Sequence, residues 1–273
     1  MADDRAPTAH IVVAGAAGRM GTRIIACMGE APDLRLVAAL EASGHPALGA
    51  DAGETAGVAR RGVAITADAA SVLTAGRLLV EFSTPEATLE HLRITAGTGA
   101  RAVIGTTGFS PRQRDEIRDL SAKAAILLSP NMSVGVTLAL RLLATMARAL
   151  GDDYDVEITE IHHRGKKDAP SGTAVRMAEV VAEALGRDLA TSAVYGRQGL
   201  PGERTRKEIG VFSLRSGDVV GEHTVSFGAP GERLELTHRA HSRDTFARGA
   251  LRAIRFMATR PPGLYSMQDV LGL

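Results

Sequence analysis

The residues that most narrow the possible fold stand near the start of the chain. A short apolar run, Ile11 to Ala14, leads into Gly15, Ala16, Ala17, Gly18, Arg19, Met20 and Gly21, after which Ile24, Ile25 and Met28 recur at helical spacing. This reads as strand, tight turn, helix. Glycines there let the backbone turn sharply and approach a pyrophosphate seated on the helix N-terminus. The spacing G-x-x-G-x-x-G is a variant of the dinucleotide fingerprint. Taken alone, an ordinary strand–helix turn accounts for it too. A second strand, Leu34 to Leu40, supplies context: it ends at Glu41, about 20 residues past Gly21, where an acid accepts hydrogen bonds from the adenosine ribose. Ala42 follows, so no adjacent cation stands ready for a 2′-phosphate. This leans towards NAD(H), with Arg19, Arg60 and Arg61 as the alternative cations.

The strand–helix alternation continues. Leu78 to Phe82 is a strand, and Thr84-Pro85-Glu86 caps a helix with proline at its first position. Ala102 to Ile104 is a strand that runs into Gly105, Thr106, Thr107 and Gly108. Ser110-Pro111 opens another helix, with Gln113 placed for a capping box. Ala124 to Leu128 ends at Ser129, Pro130, Asn131 and Met132. Such alternation predicts an α/β domain, a Rossmann-like parallel sheet with helices on both faces, and ligands beyond the carboxyl ends of its strands. Gly105–Thr107 alone fits a plain loop equally well.

The second half changes character. Val134 to Leu150 is a long helix stopped by Gly151, and Tyr154 to Ile161 is a strand that delivers His162 and His163 into a basic elbow with Arg164, Lys166 and Lys167. If the strand continued, the two histidines would point to opposite faces. Asp168-Ala-Pro-Ser-Gly-Thr173 then opens a helix whose apolar stripe is Ala174, Met177, Ala178, Val181, Ala182 and Leu185. Its first amides favour a carboxylate or phosphate. Gly196 to Lys207 reads as a mobile loop. Ile209 to Leu214, Val219 to Phe227 and Arg233 to Ala240 read as antiparallel strands, and Asp244 to Met257 as a last helix that returns to the first domain. The expected organisation is a dinucleotide-binding domain, 1–133, completed by 243–273, and an α+β domain, 134–242, with a mixed or antiparallel sheet.

Histidine is the natural acid or base near neutral pH, and lysine can hold an anion and donate a proton. Beside a nicotinamide, this cluster suggests hydride transfer to an unsaturated, carboxylate-bearing substrate, with protonation of the adjacent atom. For Arg164 and Lys167 a solvated basic face is an equal alternative. No metal is expected, since no cysteine lies near the histidine pair and convergent donors are lacking. His10, His45 and His91 carry no supporting motif, and Arg243 fits either a cofactor seat or the surface. The single cysteine, Cys27, suits a reducing cytoplasm and reads as a buried structural thiol. It is badly placed to serve the nucleophilic step of a semialdehyde dehydrogenase. A net charge of +1, no tryptophan and 3% aromatics argue against nucleic acid. No apolar run approaches the roughly 18 residues of a membrane span, and Met1 to Thr8 lacks the apolar core of a secretory signal. The non-enzyme alternative is a sensor of NAD(H).

These residues have a counterpart. Gly15–Gly21, Glu41, Val80-Glu-Phe-Ser-Thr-Pro85, Gly105-Thr-Thr-Gly-Phe109, Pro130-Asn-Met-Ser-Val-Gly135 and above all Glu160-Ile-His-His-Arg-Gly-Lys-Lys-Asp-Ala-Pro-Ser-Gly-Thr173 give the chain an almost end-to-end resemblance to the 4-hydroxy-tetrahydrodipicolinate reductase (dihydrodipicolinate reductase) family. The resemblance implies reduction of 4-hydroxy-tetrahydrodipicolinate to tetrahydrodipicolinate, with loss of water, by NADH or NADPH, in the diaminopimelate and lysine pathway. It implies cofactor contacts at Gly15, Ala16, Ala17, Gly18, Arg19, Met20, Glu41, Gly105, Thr106, Thr107, Ser129, Pro130, Asn131 and Met132. His162 looks like the family's acid/base and Lys166 like its proton donor. His163, Gly172 and Thr173 look like its contacts to a small dicarboxylate substrate. Members are usually cytoplasmic homotetramers joined through their C-terminal sheets. Two departures stand out. Ala42 replaces an arginine found in some members, which questions dual cofactor use, and Met132 replaces an aromatic. On this reading the gap between the two domains is the active site.

Overall fold

The computed structural model describes residues 9–273. The reading of Met1 to Thr8 as lacking a secretory segment lies outside them. The chain divides into two compact units, 1–134 with 243–273, and 135–242.

The first unit follows the alternation. Its elements are β1 (Ala9–Ala14), α1 (Arg19–Cys27), β2 (Leu34–Leu40), α2 (Ala52–Thr55), β3 (Ile65–Thr66), α3 (Ala69–Val72), β4 (Arg77–Glu81), α4 (Pro85–Thr98), β5 (Arg101–Ile104), α5 (Pro111–Ser121) and β6 (Ala125–Leu128). The strands form one parallel sheet, and β6 pairs at its edge with β12 (Gly263–Tyr265), from the end of the chain, giving the order β12-β6-β5-β4-β1-β2-β3. Successive residues of each strand serve opposite faces. Ile11 and Val13 enter one apolar layer, with Val80, Val103 and Leu127. Val12 and Ala14 enter the other, with Leu79, Ala102 and Ile126. Both faces are therefore dry, which is why the strands read as continuous apolar runs. Short elements of this unit escaped the sequence reading, among them the four-residue helices α2 and α3, the two-residue β3, and β12, a three-residue edge strand without alternation.

The helix α9 (Asp244–Met257) packs on α1 within this unit, and Arg23 binds Asp244 through two hydrogen bonds of 2.7 and 2.8 Å. Its Gly249 lies so close to the loop after β6 that an added Cβ would stand 1.8 Å from the Met132 carbonyl oxygen.

The second unit carries α6 (Val134–Leu150), β7 (Asp155–His162), α7 (Gly172–Ala184), α8 (Leu189–Ser192), β8 (Ala193–Tyr195), β9 (Ile209–Arg215), β10 (Gly221–Ala229) and β11 (Glu232–Ala240). The sheet order is β11-β10-β7-β9-β8. It is mixed, and two expectations are corrected. First, β9 runs parallel to β7 and β8, so it is not one of an antiparallel set. The turn after β9 joins strands that are not neighbours, because β7 lies between β9 and β10. Second, Val134–Asp153 is, by length and composition, a helix long and apolar enough to cross a membrane. Its apolarity has a local use: Ala139, Leu143 and Ala147 pack with Val156, Ile158 and Phe227 in the unit's core. The loop read as mobile is tied down. Arg197 and Arg204 bind Glu157, and Arg204 also binds Asp155 and the Glu208 carbonyl.

Candidate active site

In the first unit, strand register does the positioning. Ala14 stands opposite Leu40 on one side and Glu81 on the other, Glu81 opposite Ile104, and Ile104 opposite Leu128. The loops beginning at 41, 15, 82, 105 and 129 therefore leave the sheet in one row at its carboxyl edge. The first and last glycines of the turn have no room for a side chain. Gly15 adopts φ +69° and a Cβ on it would stand 2.5 Å from the Phe82 carbonyl oxygen; one on Gly21 would stand 2.1 Å from the Gly15 carbonyl oxygen. Glu41 is drawn to the turn, where its Oε2 accepts the Ala17 N–H at 3.0 Å. A cradle with no room for a Cβ at Gly15 and Gly21, a helix N-terminus and an acid beside it fit a dinucleotide.

The predicted cofactor residues differ in what they present. Gly18, Arg19, Thr107 and Pro130 are exposed; Ala17, Met20, Glu41, Gly105 and Asn131 are half-buried; Gly15, Ala16, Thr106, Ser129 and Met132 are buried. The Met132 side chain belongs to the core beneath α9, and only 2% of it is exposed. Of the three alternative cations, Arg60 lies 4.0 Å from Asp51 and Arg61 Nη2 lies 2.6 Å from where a Gly29 Cβ would stand, while Arg19 is exposed on the glycine turn itself.

In the second unit the period of a strand does the positioning. Glu160 and His162 are two apart on β7 and share its buried face. Glu160 is fully buried, and its two oxygens have different duties. Oε2 lies 2.5 Å from His162 Nδ1, and Oε1 accepts the Ser171 N–H at 3.2 Å. The Arg215 guanidinium touches both oxygens, at 3.1 and 3.0 Å, and also binds the Asp168 carbonyl at 2.7 Å. Burial pushes the Glu160 carboxyl up, but hydrogen bonds from His162, Ser213 and Arg215 outweigh it and hold the group below the usual carboxylate range. An ionised Glu160 accepts a hydrogen bond from the Nδ1–H of His162, which leaves Nε2 as the nitrogen available for proton transfer. Gly221 stands beside that nitrogen: a Cβ there would lie 3.0 Å from His162 Nε2.

Ser171 is the N-cap of α7. Its Oγ accepts the Ala174 N–H at 3.2 Å and lies 2.9 Å from His223 Nε2. Donating its proton to His223 lets the hydroxyl satisfy both roles. His223 is 4% exposed and its ring meets that of His162 edge-on, with centroids 5.2 Å apart. Burial, then the neighbouring His162, push the His223 imidazole down to about 4. Lys166 donates to both oxygens of Asp168 at 2.8 Å and thereby holds that carboxyl below its usual range. Gly172 is exposed at the mouth of α7, Thr173 and His163 are half-buried, and Arg164 and Lys167 are exposed. The second-unit residues named from the sequence thus lie on one short path, from the end of β7 to the start of α7. The sequence reading missed the roles of Glu160, Ser171, Arg215, Gly221 and His223. Glu160-x-His162 and the Ser171 cap were visible signals; the other three are brought in by strand pairing alone.

Known proteins resemble the chain along both units. The family described as dihydrodipicolinate reductase, N-terminus, matches residues 9–132, and that described as dihydrodipicolinate reductase, C-terminus, matches 135–271. The chain belongs to the dihydrodipicolinate reductase family. A 4-hydroxy-tetrahydrodipicolinate reductase of Nitrosomonas europaea is 55% identical over 264 residues, 97% of this chain and 98% of that one. One from Syntrophus aciditrophicus is 52% identical over 261 residues, 96% and 97% of the two chains. Among solved structures, a dipicolinate-bound dihydrodipicolinate reductase from Paenisporosarcina sp. TG-14 superposes with a TM-score of 0.76 at 25% identity, covering 96% of this chain and 98% of that one.

The buried histidine of this family member gives a test. His223 is neutral in the fold down to about pH 4, whereas an unfolded histidine protonates near pH 6.5. Between those values the unfolded state binds more protons, so stability falls as pH drops through this window. His223→Gln, neutral throughout, is expected to lose less stability than wild type between pH 7 and 5. Urea midpoints at the two pH values measure the difference.

Proposed function

We propose that this chain catalyses the NAD(P)H-dependent reduction of 4-hydroxy-tetrahydrodipicolinate to tetrahydrodipicolinate. One hydride and one proton are added and one water is lost. The observation that carries the reading is the Glu160 carboxylate, which binds the acid/base His162 with one oxygen and the cap of the α7 anion site with the other. The reaction needs this pairing: a dicarboxylate must be held while a proton moves at an atom close to its charged groups.

The first unit is the cofactor unit, with Gly15–Met20, Glu41, Gly105–Thr107 and Ser129–Met132 as its contacts. When bound there, the reduced nicotinamide supplies the hydride. The second unit holds the substrate. Gly172, Thr173 and His163 take its carboxylates, as expected of a helix mouth beside a histidine. Dipicolinate, seen bound to the Paenisporosarcina relative, is a planar dicarboxylate of the same kind. His162, oriented by Glu160, moves a proton through Nε2. Lys166 donates a proton from an ammonium held in place by Asp168. Arg215 keeps Glu160 charged and ties it to the elbow. A homotetramer is part of this reading, formed through the sheet face of the second unit that carries Thr159, Ile161, Leu214, Thr224 and Ser226. NADH is the favoured cofactor, because Glu41 is followed by Ala42, which offers no cation to a 2′-phosphate.

Two measurements test the reading. With NADH and freshly made substrate, His162→Gln and Lys166→Ala are each expected to lower kcat by roughly 10²–10⁴-fold with little change in NADH affinity. Near-normal turnover in both would refute the assigned roles. For the cofactor, kcat/KM is expected to be higher with NADH than with NADPH, and a clear preference for NADPH would refute the reading of Glu41 and Ala42.

A further inference from the structure

The parallel sheet reverses its direction of growth at one place. From β1 the chain moves outward to β2 and β3, then returns to the other side of β1 for β4, β5 and β6. A crevice opens at such a reversal, beyond the carboxyl ends of the two strands. Glu41, at the end of β2, directs the adenosine half of a dinucleotide to one side of β1. The other half then crosses towards β4.

The loop it meets there is Phe82–Thr84, which follows Glu81. Glu81 is completely buried, although an apolar residue would end β4 at lower cost. Both of its oxygens are engaged. Oε1 accepts a hydrogen bond from the Ser83 hydroxyl, and Oε2 lies 2.7 Å from His91 Nδ1, on α4. Ser83 is held from its other side as well, since its N–H donates to Thr106 Oγ1 at 3.2 Å. Thr88 donates to the Thr84 carbonyl at 2.8 Å and lies 3.0 Å from the same Thr106 oxygen. The loop is wedged between two glycines of the cradle. The Phe82 carbonyl oxygen would stand 2.5 Å from a Cβ on Gly15, and the Phe82 ring 2.1 Å from one on Gly105. Ser83 itself is only half-buried. With its proton committed to Glu81, its Oγ offers lone pairs alone, and so suits a hydroxyl donor. The ribose of the nicotinamide half carries two such donors.

We propose that Ser83 accepts a hydrogen bond from the ribose of the nicotinamide half, and that Glu81 and His91 are positioning residues that hold it for that contact. The proposal rests on the reading that the cofactor lies on this sheet. Titrations with NADH, ADP-ribose and ADP separate the two, because ADP lacks the second ribose. Ser83→Ala is expected to weaken NADH and ADP-ribose by about 3- to 10-fold, the size of one hydrogen bond, and to leave ADP unchanged. Ser83→Thr, which keeps the hydroxyl, is expected to bind like wild type. Glu81→Gln and His91→Asn are expected to follow Ser83→Ala in direction, again without effect on ADP. Unchanged NADH binding in Ser83→Ala overturns the contact, as does an equal loss for ADP, which would mark a general disturbance of the fold. Loss in Ser83→Ala but none in Glu81→Gln and His91→Asn overturns the positioning roles. A wild-type chain that binds neither NADH nor NADPH overturns the underlying reading, whatever the variants do.

Discussion

The second unit depends on a single buried carboxylate. Glu160 has no exposure to water, and a charge in that position survives only if every oxygen is paired. His162, Ser171 and Arg215 supply the partners, with Ser213 beside them. Each partner belongs to a different part of the fold: His162 to the same strand, Ser171 to the mouth of α7, Arg215 to the end of β9. Satisfying the charge therefore fixes three elements against one another, so that a group able to move protons and a helix end able to hold an anion share one anchor. A network of this kind is sensitive to the loss of any member, because the remainder is left unpaired in a dry site. His223 extends it by a step. It accepts a hydrogen bond from the Ser171 hydroxyl and stays neutral beside His162, so it adds no positive charge to the cluster.

The first unit uses register where the second uses a charge. Five strand ends, starting at 41, 15, 82, 105 and 129, fall in one row because the parallel strands end on paired residues, Leu40, Ala14, Glu81, Ile104 and Leu128. The glycines in that row have a steric reason. Gly15, Gly21 and Gly105 would each place a Cβ inside another atom, two of them against backbone. The helix from the far end of the chain supports the same row, with Gly249 pressed on the Met132 carbonyl.

Much of this was legible in the sequence. Continuous apolar runs ending in glycine announce a sheet covered on both faces, and the cap at Ser171 with the stripe from Ala174 announces α7. His162 and Lys166 stood out because charged residues crowd between a strand and a helix. What was hidden has a common cause. Arg215, Gly221 and His223 lie 44 or more residues from Ser171 and reach the site only through strand pairing, and the order β10-β7-β9 is not the order of the chain. The parallel pairing of β9 was lost for the same reason. His91 appeared unsupported because its partner, Glu81, lies ten residues earlier on a different element. The apolar character of α6 is accounted for in part by the side of it that packs in the core.

The central claim is that one carboxylate aligns both the proton-moving histidine and the anion-binding helix. Glu160→Gln keeps the shape and removes the charge. Its affinity for dipicolinate by titration calorimetry, measured alongside kcat and the NADH dissociation constant, addresses the claim directly. Both dipicolinate affinity and kcat should fall, each by roughly tenfold or more, while NADH binding stays as in wild type. A variant that loses turnover but binds dipicolinate normally, or binds it poorly yet turns over normally, would contradict the account.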